Sequence, residues 1–141
     1  MYPRKRSIVR LAAVLLCLAA AGCAPGKAAG RRYGSVIGIK PESIPEYTRL
    51  HAAVWPEVLA KLKDVNVRNY SIYLAEVKPG EFYLFSYFEY TGDDFKADMA
   101  RMAADPDTQR WWKHTEPLQA PVPTRKEGEW WHTIDEVFHM D

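Results

Sequence analysis

The sequence predicts an α+β domain in which an antiparallel sheet carries helices on one of its faces. Three observations lead there. Alternating apolar residues mark strands at 33–39, 67–77, 81–90 and 130–140. Helical patterns fill the stretches after the first strand and after the third. The tight-turn sequence Lys78-Pro79-Gly80-Glu81 joins the middle two strands into a hairpin. The resulting order, β-α-β-β-α-β, is the ferredoxin-like arrangement.

The first strand, Tyr33 to Ile39, carries Val36, Ile37 and Ile39 and is broken by Lys40-Pro41-Glu42. Ser43 and Glu46 stand at capping-box spacing, with Pro45 tolerated in the first turn. The helix that follows runs to about Val65. Pro56 lacks a backbone donor, so a kink or a restart is expected near Trp55-Pro56. Thr91-Gly92-Asp93-Asp94 ends the hairpin, and Asp93 or Asp94 can cap a helix from Phe95 to Ala104. Asp105-Pro106-Asp107 restarts that helix, which carries Trp111 and Trp112 to about Leu118. A proline-rich loop then leads to the last strand, Trp130 to Met140.

The strand from Glu81 to Tyr90 is apolar on both sides. Phe82, Leu84, Ser86 and Phe88 point one way, and Tyr83, Phe85 and Tyr87 the other. Helices cover one face only. A second copy of the sheet is the simplest cover for the other, so a homodimer is expected.

The N-terminal segment has a different grammar. Arg4, Lys5, Arg6 and Arg10 precede an apolar run from Leu11 to Ala21, about half of the roughly 20 residues a spanning helix needs. The run ends in Ala20-Ala21-Gly22-Cys23, small residues before a cut site. This resembles the bacterial lipoprotein signal, in which cleavage leaves a lipid on the cysteine. The expected organisation is a signal peptide at 1–22, a lipidated tether at 23–32 and a domain at 33–141. Cys17 leaves with the signal, so Cys23 is the one cysteine of the mature chain and a disulfide is excluded. Ala24, rather than Asp, follows it, which under the lipoprotein rule favours the periplasmic face of the outer membrane. Cleavage removes four positive charges and no negative one, turning a formal net charge of +1 into −3. That charge argues against nucleic acid as a partner.

Tyr47 and His51 are four residues apart and share a helix face, and Trp55 continues the row. Tyr70 shares a strand face with Ile72 and Leu74. If that face looks toward the helices, two phenols and an imidazole converge near Trp111 or Trp112. Apolar walls with a few polar tips suit a neutral, hydroxyl-rich small molecule. Taken singly, such residues are ordinarily core or rim residues, and spacing alone leaves them so. His114, His132 and His139 show no close ligand spacing, so no metal is expected. Ser43 and Ser71 lack a nucleophile context. A glycine-rich phosphate loop is absent from the sequence.

A longer pattern adds to these readings. Glu46-Tyr47 with His51 and Trp55-Pro56-Glu57, then Asn69-Tyr70-Ser71-Ile72-Tyr73-Leu74, then Gln109-Arg110-Trp111-Trp112-Lys113 and Glu136-Val137-Phe138, together resemble the L-rhamnose mutarotases. The likeness runs from about Tyr33 to Met140. It implies a dimeric ferredoxin-like barrel that interconverts the α and β anomers of a pyranose, L-rhamnose or a related deoxy sugar, without a cofactor. It further implies that His51 is the proton donor and that Tyr47, Tyr70, Trp111 and Trp112 contact the sugar. Anomer exchange needs an acid at the ring oxygen and a base at the anomeric hydroxyl, and histidine serves in either sense. Tyr47, one turn away, is the candidate second partner. Two rival readings share the fold: a lipid-anchored sugar-binding protein without catalysis, and a small dimeric-barrel oxygenase.

Overall fold

In the computed structural model, residues 30–140 are described; the proposed signal, Cys23 and most of the tether lie outside them. Strand β1 (Arg31–Ile39) leads through a 3₁₀ turn at Pro41–Ser43 into helix α1 (Ile44–His51). Helix α2 (Pro56–Asp64) follows, then the hairpin of β2 (Val67–Lys78) and β3 (Glu81–Tyr90). Helices α3 (Phe95–Ala103) and α4 (Pro106–Thr115) come next, and two short strands, β4 (Gln119–Ala120) and β5 (His132–Ile134), complete the order.

The strands pair antiparallel in the order β2-β3-β1-β4, and β5 pairs with β1 as well. β4 meets β1 at Gly38 and Ile39, and β5 meets it at Gly34 to Val36. Two short strands therefore share one edge of β1, where the sequence predicts one long strand from Trp130 to Met140. The correction has a physical reason. The ladder with β1 stops at Ile134 although β1 itself begins at Arg31; past it Glu136 meets Arg32 in a side-chain ion pair at 2.6 Å, and Val137, Phe138 and Met140 are exposed. Gly80, with φ +76°, lets the hairpin turn as predicted.

Pro56 produces a restart rather than a kink. It stands at the first position of α2, where its missing N–H costs no helix hydrogen bond. The predicted capping box does not form. The 3₁₀ turn ahead of α1 puts Ser43 in a helical conformation, without a side-chain cap, and Glu46 pairs with Arg49 instead. The two aspartate caps do form. Asp94 accepts from Ala97 N at 3.0 Å and Asp105 from Thr108 N at 2.9 Å.

The core lies between the helices and the inner sheet face. Ile37, Ile39 and Leu84 from the sheet close on Tyr47, with Ile44, Ile72 and Leu118 packed against them. Ser35 and Ser86 sit on the same inner face and hydrogen-bond each other at 2.6 Å, which satisfies both hydroxyls. The outer face carries Val36, Tyr83, Phe85 and Tyr87, all half-buried, and Tyr73, which is exposed.

Candidate functional site

The cavity between helices and sheet draws on α1, α3, α4, β2 and β4, on the 3₁₀ turn at Glu116–Leu118 and on the loop before β5. α1 supplies Tyr47 and His51, one turn apart on its inward face. α4 supplies Trp111 and Trp112. β2 supplies Tyr70. With parts of β4 and of the loop before β5, these residues line a cavity of about 390 Å³. All five sequence-predicted site residues of the domain meet there.

Tyr70 reaches the cavity through an irregularity in the hairpin. Arg68 pairs with Glu89 and Ser71 with Tyr87, so Asn69 and Tyr70 together oppose Phe88 alone. Asn69 absorbs the bend with φ +47°, in the left-handed region that asparagine tolerates, and its side chain bonds Glu89 at 2.9 Å. The bulge turns Tyr70 onto Phe88, edge to face at 5.7 Å. Nearly half of Tyr70 is open to solvent, yet protein surrounds its hydroxyl, and that burial pushes its pKa up to about 12.

His51 is held from three sides. Its ring stacks on Tyr47 with centroids 4.0 Å apart and meets the edge of Trp111 at 5.4 Å. Its Nδ1 lies 2.9 Å from the backbone oxygen of Tyr47. A carbonyl oxygen only accepts, so Nδ1 carries the proton and the neutral ring keeps its lone pair on Nε2. Burial pushes the imidazole pKa below its ordinary value, opposed by the bond to the Tyr47 carbonyl. The Tyr47 phenol is pushed far above its ordinary value, mainly by burial. Its hydroxyl therefore keeps its proton.

The paired tryptophans divide their work. Trp111 is buried and abuts both His51 and Trp55, which it meets edge to face at 5.3 Å. Trp112 is half-buried and gives the cavity a second indole wall. Trp55 lies outside that lining and instead carries the Arg110 guanidinium over its ring at 5.6 Å.

Several lining residues were not singled out from sequence: Glu116, Gln119, Trp130 and Trp131. Trp130-Trp131 is a second tryptophan pair, the one visible signal for this wall. Glu116 carries the one carboxylate of the lining. Gln119 is buried and bonds Trp130 and Tyr47. Among the described residues, no three His, Cys, Asp or Glu side chains gather as a metal-binding group.

The chain resembles known proteins over most of its length. A family model described as L-rhamnose mutarotase matches residues 32–140. This chain belongs to the L-rhamnose mutarotase family. An L-rhamnose mutarotase of Oceanobacillus iheyensis is 32% identical over 117 residues, covering 79% of this chain and 99% of that protein. One from Opitutus terrae is 34% identical over 116 residues, covering 78% and 98%. The crystal structure of an L-rhamnose mutarotase from Formosa agariphila superposes with a TM-score of 0.58 at 22% identity, over 79% of this chain and 99% of the other. That likeness places the α+β fold and its curled antiparallel sheet with the mutarotases.

Proposed function

We propose that this protein interconverts the α and β anomers of a pyranose, L-rhamnose or a related deoxy sugar, by acid–base ring opening and closure at His51. The observation that carries the reading is the tethered imidazole in an aromatic-walled cavity, inside a chain of the mutarotase family. The resting ring is neutral with its lone pair on Nε2, so its first act is to accept. Nε2 takes the proton of the anomeric hydroxyl as the carbonyl forms at C1 and the C1–O5 bond breaks. The imidazolium then gives that proton to O5. Rotation about C1–C2 and the reverse transfers close the ring on the other carbonyl face. The donor role of His51 is thus its second step.

The phenols have a different task. Tyr47 and Tyr70 hold their protons firmly, so they hydrogen-bond the sugar oxygens as charge develops rather than give the proton up. Tyr47 serves as an electrostatic partner to the imidazole. Trp111 and Trp112 present indole surfaces to the C–H faces of the ring.

The protein acts as a homodimer joined through the outer sheet face, where Tyr73, Tyr83, Phe85 and Tyr87 form an aromatic surface. It is exported and held by a lipid on Cys23. Saturation-transfer NMR on L-rhamnose and L-fucose, with and without protein, tests the reaction. Faster exchange between anomeric signals is the expected result. Binding without faster exchange would leave a sugar-binding protein.

A further inference from the structure

We propose that Trp130, acting through Gln119, fixes the direction in which the Tyr47 hydroxyl donates, which makes Trp130 and Gln119 positioning residues of the sugar site. The inference rests on the anomer-exchange reading above.

Gln119 sits in β4, opposite Ile39 of β1, and only 7% of its surface is exposed. Strand β4 comes close because β1 has glycine at 38: a Cβ there would lie 2.6 Å from the Ala120 carbonyl oxygen. The Gln119 carboxamide has two neighbours. Trp130 Nε1 donates to its Oε1 at 2.7 Å, and its Nε2 faces the Tyr47 hydroxyl at a longer 3.5 Å. A carboxamide can be turned end for end at little cost in shape, so its sense is set by its partners. An indole N–H can only donate. It therefore holds Oε1 on its own side and leaves the NH₂ group facing Tyr47.

The consequence falls on the phenol. Its oxygen accepts from Gln119, so its own proton must point elsewhere. Tyr47 lines the cavity beside His51 and Tyr70, and the free direction is toward the sugar. Were the carboxamide reversed, Oε1 would capture the phenol proton and the cavity would lose a donor. Trp130 is itself held in place. Its neighbour Glu129 accepts from the Lys126 backbone N at 3.1 Å and from Thr133 Oγ1 at 3.0 Å, and Gly128 makes the turn before it with φ +82°.

Three variants of the full chain test this. Trp130→Phe keeps a ring and removes the N–H. Gln119→Glu keeps the shape and removes the donor, so the carboxylate accepts from Trp130 and from Tyr47 together. Tyr47→Phe removes the hydroxyl. The exchange rate constant at saturating L-rhamnose is expected to fall about tenfold in Trp130→Phe and about 10²-fold in Gln119→Glu, the size of losing one aimed donor. Sugar affinity stays within about twofold in both. In a Tyr47→Phe background, Trp130→Phe causes no further loss. A rate unchanged in Trp130→Phe, or an equal added loss without the Tyr47 hydroxyl, overturns the proposal. A wild-type protein that does not accelerate exchange overturns the anomerisation reading instead. The side-chain amide signals of Gln119 in ¹H–¹⁵N spectra then decide the orientation. They move in both Trp130→Phe and Tyr47→Phe if the relay holds, and signals that stay in place in either variant refute it.

Discussion

His51 stacks on Tyr47 with ring centroids 4.0 Å apart, and its Nδ1 is bonded at 2.9 Å to the same residue's backbone oxygen. One residue thus fixes both the plane and the tautomer of the imidazole. The arrangement needs one helical turn and no long-range partner, because residues four apart share a face. Trp111 of α4, 5.4 Å away, then limits rotation from the neighbouring helix.

His51→Ala is expected to lower the exchange rate by 10²- to 10⁴-fold, the usual range for one proton-transfer group. The ring is only half-buried, so the variant should keep its circular-dichroism spectrum and still bind the sugar. Exchange at the wild-type rate would remove His51 from the mechanism.

The active form of His51 is the neutral one, and burial holds its pKa below the ordinary 6.5. The rate at saturating sugar is therefore expected to be flat above about pH 6.5 and to fall on acidification below it. Stability follows the same sign. The unfolded chain binds the His51 proton at higher pH than the folded one, so between the two pKa values stability rises with pH. Acid added below 6.5 removes it. A rate profile that climbs toward acid would mean that the imidazolium is the resting form.

The two tryptophans should separate in experiment. Trp111→Ala empties a buried site and is expected to cost about 3–5 kcal/mol of stability, read by urea unfolding, together with loss of exchange. Trp112→Ala removes a half-buried cavity wall. Its effect should fall mainly on sugar affinity, measured by NMR titration, with a smaller stability change.

Asp98 ties the far end of the fold together. It accepts from Tyr90 and Asn66, both at 2.8 Å, and from Arg101 at 2.6 Å. The bonds from Asn66 and Tyr90 hold its carboxyl below the ordinary carboxylate range. Asp98→Ala strands the Tyr90 hydroxyl and the Asn66 amide, so the thermal midpoint should drop while sugar affinity is retained. In the wild type this contribution is present above about pH 3.8 and is lost as pH falls through the depressed pKa.

Tyr73→Lys places a charge on the outer sheet face, across from Phe85. Sedimentation should show the dimer giving way to a monomer. An unchanged sedimentation coefficient, with the wild type dimeric, would put the interface elsewhere.

Much of this was legible in the sequence because it rests on local rules. The hairpin turn declared itself in Pro79-Gly80, the restart of α2 in Pro56, and the His51–Tyr47 pair in helical spacing. The convergence of Tyr70 with that pair was less secure, since it depends on a bulge that spacing does not reveal. Gln119 and Trp130 escaped altogether. Gln119 meets Tyr47 across 72 positions, and the meeting depends on a two-residue strand too short to show a period. The last strand was misread because the apolar residues at 137, 138 and 140 give no sign that pairing with β1 stops at Ile134.

The shared edge of β1 has an evolutionary consequence. Residues 121–131 connect two strands that dock separately, at Gly38–Ile39 and at Gly34–Val36. Insertions or deletions in that connection leave the three-strand ladder and the imidazole-bearing helix in register. That tolerance ends at Gly128, because Trp130 and Trp131 belong to the cavity wall, so the connection is free to drift only over its first part, 121–127.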